Sequence, residues 1–106
     1  MSTALPTATV SFSPDPVYTG ETLTVTCTIQ SEYTWTGYST RWFRGDTPTK
    51  VITSVRHRID RNILTISEVK DSDQDDYWCL GERQLRPKSS KLSDNKRLAV
   101  LGKKPQ

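Results

Sequence analysis

The 106-residue chain predicts an all-β fold: a sandwich of about seven short strands closed by one inter-sheet disulfide. Three observations predict it. Short segments alternate apolar and polar residues, and none carries the 3.6-residue recurrence of an amphipathic helix. Gly, Pro, Asp and Asn clusters punctuate these segments. Two cysteines, Cys27 and Cys79, stand 52 residues apart on alternating segments.

The first candidate strand is "ATVSF", Ala8 to Phe12, followed by the turn residues "SPDP" and "TGE". "LTVTCTI", Leu23 to Ile29, sets Leu23, Val25, Cys27 and Ile29 against three threonines. That is the period-two pattern of a strand with one buried face, and its β-branched content suits the pleat. "STRWFR" (Ser39 to Arg44) runs into the turn "RGDTP", and "KVITSV" (Lys50 to Val55) leaves room for one short middle strand. "ILTIS" (Ile63 to Ser67), "DYWCLGE" (Asp76 to Glu82) and, after "SDN", "KRLAVL" (Lys96 to Leu101) complete the set. The chain divides into an extension at 1–7, one domain at 8–101 and a linker at 102–106 leading to a following segment. A length of 106 residues supports one core and not two.

Cys27 and Cys79 occupy inward positions, so they can meet across the sandwich. Closing a loop of that length stabilises a fold by about 4 kcal/mol in the chain-entropy account. A disulfide implies an oxidising compartment. The segment Met1-Ser2 is not followed by the basic and apolar stretches of a signal peptide, which leaves secretion open. No apolar run approaches the roughly 18 residues of a membrane helix.

Trp42 lies between the cysteines, where a buried indole can pack on the bridge. Together with "LTISEVKDSDQDDYWC", Leu64 to Cys79, it resembles an immunoglobulin domain over about Ala8 to Leu101. The family pattern is met by Leu64, Ile66, Val69, Asp73, Tyr77 and Cys79; Asp75 departs from it, standing where a small residue is usual. The resemblance implies a constant-2 or intermediate type, since the spacing of the cysteines is short for a variable domain. It also implies a tyrosine corner, with Tyr77 turned inward and its hydroxyl tied to upstream backbone. The acids Asp71, Asp73, Asp75 and Asp76 then form a solvated corner, with Asp73 accepting a buried hydrogen bond. A calcium site is disfavoured because the EF-hand spacing is missing. More narrowly, "SPDPVYTGETLTVTC", "WFRGD" and "DYWCLGER" are similar to the Fc-receptor-like and leukocyte immune-type receptors of bony fish.

Catalysis has little to stand on. The single histidine, His57, sits between Arg56 and Arg58, and both cysteines are committed to the bridge. No cofactor and no metal are implied. The Arg44-Gly45-Asp46 triplet reads as a hairpin turn rather than an integrin motif. All 15 Lys and Arg residues fall at or after Arg41, yet no nucleic-acid-binding pattern accompanies them.

Surface recognition remains. The resemblance brings the loop at 31–39 and the segment after strand 76–82 to one end of the sandwich, opposite the acidic corner. The first supplies Tyr33, Trp35 and Tyr38, and the second Arg83, Arg86, Lys88 and Lys91; aromatic and Arg residues are enriched at interfaces. On this reading Trp35 is the recognition anchor; on the other, it folds back over the end of the core. A second candidate is the sheet face of Arg41, Phe43, Trp78 and Leu80, extended by Ala99 and Leu101, which is either covered or used.

The expected function is an extracellular domain of an immune receptor that binds a protein ligand. By resemblance, that ligand is an immunoglobulin Fc region or a class I histocompatibility molecule. Neighbouring immunoglobulin-like domains, and a single-pass membrane anchor or a secreted form, lie in flanking segments. The alternatives are a structural spacer, a soluble decoy, and a binder of anionic lipid or polyanion through the basic region. No Asn-X-Ser/Thr acceptor occurs, Asn62 and Asn95 being followed by other residues.

Overall fold

The computed structural model describes residues 5–31, 35–47, 50–51 (backbone alone) and 56–102. Its strands are β1 (Thr7–Ser13), β2 (Val17–Tyr18), β3 (Leu23–Gln30), β4 (Ser39–Arg44), β5 (Lys50–Val51), β6 (His57–Asp60), β7 (Ile63–Ile66), β8 (Asp76–Glu82), β9 (Lys96–Arg97) and β10 (Val100–Leu101). One sheet has the order β1-β3-β7-β6 and the other β5-β4-β8-β9, while β10 pairs in parallel with β2. The first is the four-strand sheet of a constant-type sandwich, and among the described residues the second adds one short strand to the usual three. This is an immunoglobulin-like sandwich.

Alternation produces the core. Val10, Val25, Leu64 and Ile66 face inward from one sheet, and Trp42, Tyr77 and Cys79 from the other. Cys27 and Cys79 are bonded across the sheets, their Cα atoms 6.1 Å apart. Trp42 stands directly opposite Cys79 on the neighbouring strand, so its indole shares the buried face with the bridge. Its N–H donates to Thr40 Oγ1 at 3.1 Å, which leaves the ring's one polar atom satisfied.

Two strand expectations change. The segment Lys96 to Leu101 is not one strand: Lys96 and Arg97 pair with β8, whereas Val100 and Leu101 pair with β2. Strand β6, absent from the expected set, pairs along β7 from His57 to Asp60. Of "KVITSV", Lys50 and Val51 form β5 and residues 52–55 lie outside the described part.

The corner between β7 and β8 is built from ion pairs. Tyr77 is fully buried and its hydroxyl donates to the Asp73 carbonyl at 2.5 Å. The Asp73 carboxylate, also fully buried, accepts from Lys70 N–H at 2.8 Å and from both terminal nitrogens of Arg56 at 2.9 and 3.1 Å. These bonds outweigh the cost of burial and hold Asp73 below the usual carboxylate range. Asp75, the departure from the family pattern, pairs with Arg44 at 3.1 Å and caps the Asp76 N–H. Guanidinium groups thus neutralise acids that could otherwise gather around a cation. Arg44 also donates to the Ser72 carbonyl, so the Arg-Gly-Asp triplet has its cation turned toward the corner.

Candidate recognition site at the loop end

The β3–β4 and β8–β9 connections meet at the opposite end. After β8 the chain makes a tight turn over Gln84–Pro87, closed by the Arg83 N–H donating to the Lys88 carbonyl at 2.7 Å. The Arg83 side chain fixes that turn from within. Its Nε donates to the Leu85 and Pro87 carbonyls, both at 3.1 Å, and Nη2 to the Arg86 carbonyl at 2.9 Å. Nη1 reaches the Thr36 carbonyl at 3.4 Å, which ties the two loops together.

Trp35 completes the clamp. It is only 5% exposed, and its indole N–H donates to the Pro87 carbonyl at 2.9 Å. The Arg83 guanidinium lies 4.9 Å from the ring centre, and Tyr38 stacks on the ring at 4.9 Å. Trp35 also rests against Gly81: a Cβ added there would meet Trp35 Cζ3 at 2.9 Å and Ile29 Cδ1 at 3.2 Å. Of the two readings of Trp35, the buried ring fits the one in which it covers the core. The indole folds back over the end of the core, where the large apolar ring leaves water and its N–H keeps a partner in the Pro87 carbonyl.

The remaining candidates divide. Tyr33 lies outside the described residues. Arg83 is consumed by four carbonyls and is a loop clamp rather than a free cation. Arg86, Lys88 and Lys91 are exposed, and Tyr38 is half-buried. Leu85, which the sequence reading passed over, is 74% exposed at the tip of the turn. Arg61, on the turn between β6 and β7, is brought to the same end by its carbonyl, which accepts from Thr40 Oγ1 at 2.5 Å. Two clefts flank Tyr38. One, of about 700 Å³, is lined by Tyr38, Ser39, Glu82, Arg83, Gln84 and Lys88 among others. The second, of about 440 Å³, is lined by Thr36, Gly37, Tyr38, Arg61 and Asn62.

The segment after the tip was not legible either. Buried Ser90 and Ser93 accept the N–H groups of Gly81 and Cys79 at 2.9 and 2.8 Å, while their own N–H groups donate to the Gly81 and Cys79 carbonyls. Lys91 and Leu92 are left exposed between them.

On the sheet face, Arg41 pairs across from Leu80 and Phe43 from Trp78. Phe43, Trp78 and Leu80 are half-buried. Trp78 N–H donates to the Gly45 carbonyl at 3.1 Å, and Arg41 pairs with Glu82 at 2.9 Å. Leu101 belongs to the β10–β2 pair, not to an extension of this face along β8.

With disulfide, tryptophan, tyrosine corner and sheet order in place, the sequence model described as immunoglobulin domain matches residues 6–82. The chain belongs to this family. Among solved structures the immunoglobulin domain is similar to murine CEACAM1b, at 17% identity and a TM-score of 0.70, covering 92% of this chain and 46% of that one. It is likewise similar to the full ectodomain of mouse nectin-like molecule 4, at 23% identity and a TM-score of 0.67, covering 92% and 31%. The Dscam1 Ig7 domain, isoform 5, matches at 21% identity and a TM-score of 0.63, covering 94% of this chain and 100% of that one. The chain thus spans about half of the CEACAM1b chain and about a third of the nectin-like one. No curated protein matches its sequence.

Proposed function

We propose that this immunoglobulin domain is an extracellular recognition module of an immune receptor, binding a protein ligand at the loop end without catalysis. The observation that carries the reading is the Arg83 clamp: four carbonyls and the Trp35 ring fix a turn that holds Leu85 and Arg86 out in solvent. A single exposed leucine is ordinary, but one on a loop ordered before binding costs less entropy to bury. Arg86 beside it supplies the planar donor group favoured at interfaces. The similarity to multi-domain receptor and adhesion ectodomains supports a place among tandem domains at a cell surface. The Fc-receptor-like resemblance names an immunoglobulin Fc region and a class I histocompatibility molecule as the ligands to test.

Surface plasmon resonance with those two proteins immobilised tests this. Leu85→Ala and Arg86→Ala should weaken binding about tenfold or more, mainly through faster dissociation, with the melt unchanged. If both leave binding intact while Phe43→Ala or Trp78→Ala abolishes it without unfolding, the sheet face is the site. Absence of wild-type binding to either protein removes both as ligands.

A further inference from the structure

We infer that the paired clefts beside Tyr38 bind an acidic oligosaccharide laid across the tyrosine ring. Both clefts include Gly37 and Tyr38, so a ligand occupying the two must cross that ridge. The ring is a fixed platform, since it stacks on Trp35, which is itself held by Pro87 and Arg83. The C–H face of a pyranose packs on such a ring as any apolar surface does.

The walls are polar and idle. Among the described residues the side chains of Thr36, Ser39, Gln84, Lys88 and Ser89 make no hydrogen bond or ion pair, although they gather around two clefts of about 700 and 440 Å³. An apolar ligand would strip water from these groups without replacing it. A polyol replaces each lost bond.

Charge narrows the class. Arg83 is spent on carbonyls, and Arg41 neutralises Glu82 at 2.9 Å. Among the described residues, Lys88 in the larger cleft and Arg61 in the smaller make no ion pair, one on each side of the ring. They fit anionic groups, carboxylate or sulfate, on separate sugars of one chain. The inference deepens the loop-end reading, with the Leu85 tip touching a protein and the clefts a glycan carried on it.

Amide NMR titration of the domain with hyaluronan hexasaccharide, chondroitin sulfate hexasaccharide, maltohexaose and hexaglutamate tests it. The acidic hexasaccharides should shift the amides of Gly37, Tyr38, Ser39 and Ser89 saturably, with maltohexaose and hexaglutamate about tenfold weaker or worse. Comparable affinity for the two acidic sugars assigns the anion to carboxylate, and a preference of about tenfold for chondroitin sulfate assigns it to sulfate. Tyr38→Ala should cost about tenfold and Tyr38→Phe little, while Lys88→Gln and Arg61→Gln each cost about threefold. Leu85→Ala should leave sugar binding intact. Equal binding of hexaglutamate or maltohexaose, indifference to Tyr38→Ala in a folded variant, or no saturable shifts with either acidic sugar would overturn the inference. Loss of protein binding in Leu85→Ala would then still support the loop-end reading by itself.

Discussion

Lowering the pH from 7 to 5 tests how His57, the sole histidine, is held at the corner. Its side chain is 4% exposed, and among the described residues neither ring nitrogen has a hydrogen-bond partner. Burial disfavours the charged ring most strongly, Asp73 at 3.9 Å favours it, and Arg56 and Arg44 disfavour it again. The outcome is a pKa below the ordinary 6.5. A depressed histidine is neutral in the fold but takes up a proton once unfolded, so its stability contribution is full above 6.5 and falls as pH drops below it. The slope is at most about 1.4 kcal/mol per pH unit, which gives a loss of up to about 2 kcal/mol at pH 5. In a domain of this size that caps the drop in Tm at roughly 8–16 °C. Urea melts of the wild type and His57→Leu at pH 7, 6 and 5 isolate the effect, because every carboxylate except Asp73 keeps its surroundings in both. The variant should lack the loss, and at pH 7 it should match or exceed the wild type, since an unsatisfied imidazole is gone. If the wild type instead gains stability over the variant as pH falls, the ring is protonated against Asp73 and the burial argument is wrong.

The other predictions concern the core and its two ends. Tyr77→Phe should cost about 1–3 kcal/mol by leaving the Asp73 carbonyl unpaired, whereas Asp71→Asn, at an exposed position, should cost far less; equal effects in denaturant melts would refute the corner. Free-thiol titration of the denatured, unreduced protein should give zero, and reducing Cys27–Cys79 should lower stability by about 4 kcal/mol. Gly81→Ala should destabilise by about 1–3 kcal/mol and change tryptophan fluorescence, because the new methyl would lie 2.9 Å from Trp35 Cζ3; an unchanged melt would show that the indole is loosely held.

Where the sequence was legible, one face of a strand met the core and the other met solvent. Strands β3 and β8 alternate strictly through most of their length, so Cys27 and Cys79 could be placed inward from spacing, while Tyr77 was placed by the resemblance to an immunoglobulin domain. Strand β6 has one half-buried residue followed by three exposed ones and offers no period to read. In Lys96 to Leu101 the alternation of Leu98, Ala99 and Val100 survives, but alternation says nothing about which neighbour a strand pairs with. At the loop end the residue types were visible and their commitments were not. Trp35 and Arg83 read as free anchors because a linear sequence does not show that Pro87 and Thr36 offer them carbonyls.

Both ends of the sandwich use an arginine to bind backbone, and this decides what the surplus of basic residues can do. Arg56 satisfies Asp73 and the Ser67 and Glu68 carbonyls, and Arg83 satisfies four carbonyls of the facing loops. A guanidinium held this way keeps its charge but cannot turn to meet a ligand, so it contributes to the field and not to bidentate contact. Acids at the corner are further offset by Arg44 and Arg97, at 3.1 Å from Asp75 and 3.6 Å from Asp76. At the loop end, Arg61, Arg86 and Lys88 make no ion pair among the described residues, so less of their charge is compensated. Steering by Arg61 and Lys88 raises association rates in a salt-sensitive way, while dissociation follows the groups that become buried, Tyr38, Leu85 and Arg86.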